Sequence, residues 1–487
     1  MSKEIKNLDP ALIWNYFYDL TQIPRPSGKE AGVAGYIRKF GEKRGLETLI
    51  DPAGNVIIKK PATPGMEDKK TVLLQGHLDM VPQKNSDKVH DFEKDPIEAY
   101  IEGEWVCAHG TTLGADNGIG VAAALAVLDA GDLVHGPVEA LFTVDEESGM
   151  TGANGLEPGI LNADIMLNMD SEDEGELYTG CAGGLDANIK FTYHNIEPPS
   201  GHSAFRVEIK GLKGGHSGLD IDLGRGNANK LLFRFLKHAV EFHGALVANI
   251  DGGGLRNAIP REASATVVLV PDKVNSLKES AEAFAGIFRN ELSAVEPDLS
   301  LDLNETGLPG NIIDKDTISR LIRSVIACPN GVIRMSNSMH GLVETSTNLA
   351  SVRSDNGVID VKCLMRSSVD SSRDELASMM EGLFTLAGAG ITFDGAYPGW
   401  KPNMDSEILA VMKNVYKALY GKTPEVKAIH AGLECGIIGG VYPGLDMISF
   451  GPTIRYPHSP DEKVHIESVH KFWVLLTETL KNIPGKN

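Results

Sequence analysis

Short apolar runs that end in acidic or imidazole side chains recur through the first third of the chain, and this recurrence constrains the fold most. TVLLQG (71–76) leads into His77-Leu78-Asp79, VEALFTV (138–144) into Asp145-Glu146-Glu147, and IMLNM (165–169) into Asp170. Together with NVIIKK (55–60), these β-rich runs alternate with helical stretches, one of them spanning about 118–129. Such alternation predicts an α/β layer with a largely parallel central sheet and helices on both faces. Open α/β sheets collect ligands at the carboxyl ends of their strands, so the terminal side chains are candidates to converge there. Positions two apart on an extended strand face the same way, which lets His77 and Asp79 share one site. Asp116, in a glycine-rich loop before the helix, and His458, far along in RYPHSPDE, are further candidates.

From about 187 to 396 the texture changes to strand, helix, strand units. SATVVLV precedes the helical LKESAEAFAGIFRNEL and the strand LSLDL; VIDVKCLM precedes RDELASMMEGLFTLA and ITFDG. Matching Val267 to Val361 sets the copies 94 residues apart, which predicts a doubled α+β unit. After YPGWKP (397–402) the earlier α/β style returns. The expected organisation is a discontinuous domain, 1–186 with 397–487, carrying an inserted α+β lid at 187–396. At 487 residues, more than one core is expected in any case.

The formal net charge of −20 repels a phosphate backbone, so neither nucleic acid nor an anionic membrane is an expected partner. The N-terminal stretch reads as an amphipathic helix opening at Asp9-Pro10, not as a secretion signal. The longest apolar run, Ile119 to Leu128, falls far short of the about 20 residues that span a bilayer. Five scattered cysteines without Cys-x-x-Cys argue against a disulfide framework or thiolate zinc site, and a cytoplasmic location is expected.

Taken singly, each candidate has an ordinary explanation. A histidine at a strand end is usually a surface or satisfied core residue, Asp145-Glu146-Glu147 reads as a solvated turn, and Asp170 could cap a helix. Repetition at strand after strand raises the odds of a site. Two imidazoles and three carboxylates, one of them bridging, suffice for two zinc-like ions about 3.5–4 Å apart. Cobalt or manganese would suit the same donors. The Gly114–Gly120 segment also fits the Gly-x-x-x-Gly-x-Gly loop of short-chain dehydrogenases. That loop belongs after the first strand, and an ionised Asp116 within it would repel a pyrophosphate. The sole Tyr-x-x-x-Lys, Tyr397 to Lys401, spans Pro398 and Gly399 and cannot share a helical face.

IPRPSGKE (23–30), GHLDMVP, TLGADNGIG, TVDEESGMTGA, LNMDSEDEGE, GGHSG, LRNAIPRE, HAGLECG and RYPHSPDE follow one another over nearly the whole chain. In these stretches the sequence resembles the M20 metallopeptidase family, in its aminoacyl-histidine dipeptidase branch (cytosolic non-specific and carnosine-cleaving enzymes). The resemblance implies His77 and Asp170 on one metal, Glu147 and His458 on the other, and Asp116 bridging. It implies Asp79 as the carboxylate that orients His77 and Glu146 as general base, on the view that neighbours on an extended backbone point apart. His216 would polarise the carbonyl, and Asn257 and Arg366 would grip a substrate carboxylate, for which guanidinium geometry is suited. His430 and Glu434 resemble site-lining residues without an assigned role.

The implied activity is hydrolysis of dipeptides, of Xaa-His type and including β-alanyl-histidine, by a hydroxide formed on the metals. Removal of an acyl group from N-acyl amino acids and exopeptidase action on short peptides are the competing expectations. The apparently doubled lid favours the dipeptidase. A non-catalytic scaffold is disfavoured, because the base and all five ligands are present. A homodimer formed through the lid is expected from the family alone.

Overall fold

Eight strands build the sheet that carries the strand-end residues: β1 (Glu47–Ile50), β2 (Val56–Lys60), β3 (Val72–His77), β4 (Val138–Thr143), β5 (Ile165–Asn168), β6 (Glu176–Cys181), β7 (Glu425–Ile429) and β8 (Asp446–Ser449). In this computed structural model, which describes residues 2–486, their order is β1-β2-β4-β3-β5-β8-β6-β7. The inner four, β4, β3, β5 and β8, are parallel, whereas β1-β2, β2-β4 and β8-β6 pair antiparallel. The sheet is therefore mixed, with a parallel centre and antiparallel margins. The expected parallel alignment fails at β2 because β1 and β2 form a hairpin. Asp51 closes its turn, accepting bonds from the Asn55 backbone N–H and side-chain amide. β3, β4 and β5 are buried along their whole length, as strands covered on both faces must be.

Against β3 packs the helix Ala115–Asp129, apolar all round and buried from Asn117 to Leu128. Glycine permits the close approach: a Cβ on Gly120 would stand 2.6 Å from the Met169 carbonyl oxygen. The helix Ala11–Thr21, which starts directly after Pro10 as the sequence predicts, packs on the same element. Ile13, Phe17, Leu74, Ile119, Val127, Phe142 and Leu167 belong to one continuous core. All five cysteines are buried.

The chain divides into two units. One comprises Met1–Gly180, Pro402–Ala428 and Leu433–Asn487; the other comprises Cys181–Lys401 and Ile429–Gly432. The second unit is built on a nine-stranded sheet whose two halves repeat one plan. In the first half, strands 203–210, 246–253, 263–269 and 300–306 accompany helices 228–243 and 274–292. The second half uses strands 183–192, 343–355, 358–367 and 390–397 with helices 315–327 and 370–386. Each is a βαββαβ unit with its strands in the order four-one-three-two, and the halves join antiparallel where Asp251 faces Arg353. Phe235, Phe288, Leu321 and Phe384, one from each helix, share a core. The first half is nested inside the second, whose opening strand (183–192) precedes it. The 94-residue spacing therefore holds for the later strands but not for the first.

Candidate metal centre

β3 delivers His77 and, two residues on, Asp79, both almost wholly buried. The His77 Nδ1 lies 3.3 Å from Asp79 Oδ1. Asp79 also accepts bonds from the Glu146 N–H (3.0 Å), the Glu147 N–H (3.1 Å) and the Ser27 hydroxyl (2.8 Å). Burial would raise the Asp79 pKa, but His77, Ser27 and the Glu146 N–H outweigh it and hold the carboxyl at about 2. Asp79 is thus an ionised hub that ties the end of β3 to the turn after β4.

The other face of His77 meets two carboxylates: Nε2 lies 3.0 Å from Asp116 Oδ1 and 3.3 Å from Asp170 Oδ1. The second Asp116 oxygen lies 3.3 Å from His458 Nε2, which in turn lies 3.0 Å from Glu147 Oε2. His77, Asp116 and Asp170 form one set of potential ligands within a 4.8 Å span, and Asp116, Glu147 and His458 form another. Asp116 belongs to both. A third grouping joins His77 to Glu146 and Glu147.

The electrostatics have one sign. His458 is pushed up to about 11 by hydrogen bonds to Asp116 and Glu147. Burial works against protonation of His77, yet Asp170, Asp116 and Asp79 raise its pKa well above the ordinary value. Burial lifts Asp170 to about 6, against His77 and helped by Asp116 and Glu147, and lifts Glu146 strongly, helped by Asp170, Glu434 and Glu147. Positive charge is favoured throughout the space between these groups. One buried oxygen there, Glu147 Oε1, has no hydrogen-bond donor, and Asp170 Oδ1 has only the His77 ring at 3.3 Å. Carboxylate oxygens so short of donors, beside two imidazoles, fit divalent cations of the zinc type.

Glu146 and Glu147 are not on extended backbone, as the sequence suggested. They open a short helix, Glu146–Gly149, after Asp145 turns left-handed at φ 54°. Successive helical side chains diverge by about 100°, so the two carboxylates still separate.

The remaining candidates belong to the second unit. His216 pairs in register with Ala258, and its Nδ1 accepts the Gly218 and Leu219 N–H groups at 3.2 and 3.0 Å. A neutral ring held this way carries its proton on Nε2. Burial and the Arg366 charge lower the His216 pKa and favour that neutral form. Asn257 is exposed; its carbonyl accepts the Ser217 N–H at 2.8 Å, one residue beyond His216. Arg366 is buried, paired across the sheet with Gly184 and Ser346. Its guanidinium donates to the Tyr397 hydroxyl at 3.1 Å and meets no carboxylate among the described residues. His430 Nε2 lies 2.7 Å from the Ser346 hydroxyl, and burial with Arg366 drives its pKa to about 3.

The model of "Peptidase family M20/M25/M40" matches residues 73–482. The chain belongs to this family. It is 50% identical over 484 residues to the cytosol non-specific dipeptidase of Escherichia coli, covering 99% of this chain and 100% of that one. The crystal structure of aminoacylhistidine dipeptidase from Vibrio alginolyticus matches with a TM-score of 0.95 at 49% identity, over the whole of both chains. Aminopeptidase PepT of Bacillus cereus, at 17% identity, shares the fold with a TM-score of 0.57 over 98% of this chain and 99% of that one. The M20 chain is accordingly a hydrolase of peptide bonds. No helix among its described residues is long and apolar enough to cross a membrane.

Glu434, expected to line the site without an assigned role, lies buried behind it, accepting bonds from Gln75 (2.6 Å) and Thr143 (2.7 Å), and burial raises its pKa to about 7. Sequence reasoning missed two further groups that shape this M20 centre. Arg25 donates to the carbonyls of Leu78, Asp79 and Gly114. Glu462 was visible only as the last letter of RYPHSPDE. Its carboxylate receives four backbone N–H groups, from Leu113, Gly114, Ala115 and Asp116. No spacing rule reveals such partners, because they lie from 53 to 359 residues apart in sequence.

Proposed function

We propose that this M20 peptidase is a dipeptidase dependent on two divalent ions, zinc being best suited, with Xaa-His dipeptides among its substrates. The observation that carries the reading is Asp116, one carboxylate shared between two sets of His and carboxylate donors. Full-length likeness to two dipeptidases supports the substrate class. His77, Asp116 and Asp170 would hold one ion and Asp116, Glu147 and His458 the other. When bound, the ions supply Lewis acidity toward the scissile carbonyl and lower the pKa of a water toward about 7.

The rest of the chemistry belongs to the chain. Glu146, whose buried carboxyl gains a proton readily, takes one from the attacking water and returns it to the departing amine. Asp79 holds the His77 ring through Nδ1, which fixes Nε2 as the ligand atom. His216 offers Nε2–H to the carbonyl oxygen as negative charge develops on it. Arg366, a buried cation with no carboxylate partner among the described residues, takes the terminal carboxylate of the substrate, with Asn257 as a further polar contact.

One assay tests the reading. A panel of dipeptides, tripeptides and N-acetyl amino acids is run on protein as purified, after chelation, and after return of zinc, cobalt or manganese. Dipeptides should be cleaved best, chelation should abolish turnover, and metal should restore it. Full activity in metal-free protein, or preference for N-acetyl amino acids, overturns the reading.

A further inference from the structure

The shared ligand Asp116 sits in the kinked segment that leads into helix 115–129, where the backbone at Asp116 (ψ 111°) and Asn117 (ψ 30°) departs from helical values. The N–H groups of Leu113 to Asp116 therefore need partners from elsewhere, because a buried backbone N–H left unpaired is costly. Gly114, left-handed at φ 70°, has no side chain to offer. Glu462 supplies the acceptors from far along the chain. One carboxylate oxygen accepts the N–H groups of Leu113 (2.7 Å) and Gly114 (2.9 Å), and the other those of Ala115 (2.7 Å) and Asp116 (3.2 Å). Glu462 is almost wholly buried, so these four N–H groups are its main compensation for lost water.

Glu462 also belongs to the segment that carries the other imidazole. His458 stands four residues earlier, left-handed at φ 58°, and the turn between them closes through Glu462 N–H to Ser459 O at 3.0 Å. The same carboxylate therefore grips the backbone of one ligand and belongs to the loop of another. Arg25 buttresses the arrangement, donating to the Gly114 carbonyl at 2.5 Å and to those of Leu78 and Asp79 at 2.9 and 3.0 Å. Gly114 and Gly118 are needed here, since a Cβ on either would stand 2.6 or 2.7 Å from Arg25 Nη2.

We propose that Glu462 is a positioning residue for the ion held by Asp116, Glu147 and His458: it locks the Asp116 backbone to the His458 loop and so sets the spacing of those two ligands. The inference rests on the two-ion reading above. The first set of donors, His77, Asp116 and Asp170, keeps two members on β3 and just beyond β5, so it depends on Glu462 less. Loss of the carboxylate should weaken one ion selectively and leave the other.

Metal affinity and stoichiometry decide the matter, measured by titrating metal-free full-length protein with zinc in a calorimeter and with cobalt by its visible absorption. Wild type should take two ions. In Glu462→Gln, where one acceptor oxygen remains, the weaker ion should bind at least tenfold less tightly while the tighter one stays within about threefold. In Glu462→Ala the weaker ion should be lost, with a corresponding change in the cobalt spectrum. Two ions bound with wild-type affinities in either variant overturns the proposal, and so does equal weakening of both ions, which would make Glu462 a general prop of the fold. If Glu462→Ala does not fold, the affinities of the Gln variant alone separate these outcomes. A wild type that takes fewer than two ions removes the two-ion reading itself, an outcome distinct from a variant that keeps both.

Discussion

At the scale of single residues, two neighbouring carboxylates face different tasks. Glu147 lies 3.0 Å from His458 with one oxygen and leaves the other without a donor, which suits a ligand. Burial raises the Glu146 pKa well above the ordinary value, which suits a group that passes a proton. Glu146→Gln should therefore lower kcat by about 10²–10⁴-fold with close to two ions retained, and Asp116→Ala should lose metal as well. Metal analysis beside turnover checks both; matched metal loss would mean the roles are exchanged. Arg366→Ala should reduce kcat/KM for a free dipeptide by about 2–4 kcal/mol, and much less for the C-terminally amidated one. An equal loss for both substrates would remove Arg366 as the carboxylate anchor. The strand-end ligands were legible in the sequence because a short β-rich run aims its last residue at a fixed edge of the sheet. Glu462 and Arg25 were not, and Glu434 was legible only as a lining residue without a role, since their significance lies in partners that only folding brings near.

Among elements, helix 115–129 shows best how packing overrides propensity. Replacing a helical glycine with alanine ordinarily gains up to about 1 kcal/mol. At Gly120 the new methyl would meet the Met169 carbonyl at 2.6 Å and the Asn117 side chain at 2.7 Å, and backbone there cannot yield cheaply. Gly120→Ala should thus destabilise by about 1–3 kcal/mol. Gly35, in helix Ala31–Lys43, has nothing within 4 Å of its added Cβ, so Gly35→Ala should be neutral or stabilising. Denaturant melts of the two variants read the contrast directly, and similar shifts would discredit the packing argument. The glycine pattern that imitates a dinucleotide loop is explained here by close packing. Legibility at this scale was uneven: the helices and strands of the second unit were readable from periodicity. Its repeat was only half visible, because nesting moves strand 183–192 ahead of the copy it should follow.

For the molecule as a whole, acid should be a specific stress. His430 has a native pKa of about 3, lowered by burial and then by Arg366, against about 6.5 when unfolded. The unfolded chain therefore binds the extra proton first. No penalty exists above pH 6.5; it grows as pH falls toward 3, by up to about 1.4 kcal/mol per pH unit. His430→Gln should show a shallower loss of stability than wild type between pH 6.5 and 4. Parallel curves from chemical denaturation across that range would refute the assignment. The strand order of the first unit carries a different consequence, one for biosynthesis. β5 pairs on one side with β3, made early, and on the other with β8, whose residues 446–449 are made nearly three hundred residues later. A nascent chain must wait with one edge of its parallel core unpaired, the kind of edge that recruits foreign strands. Ribosome-stalled chains ending before residue 440 should yield protease-resistant fragments from 181–401 while β3 and β5 remain cleavable. Holdase chaperones would then be needed most during that wait, and least once the segment bearing His458 has emerged.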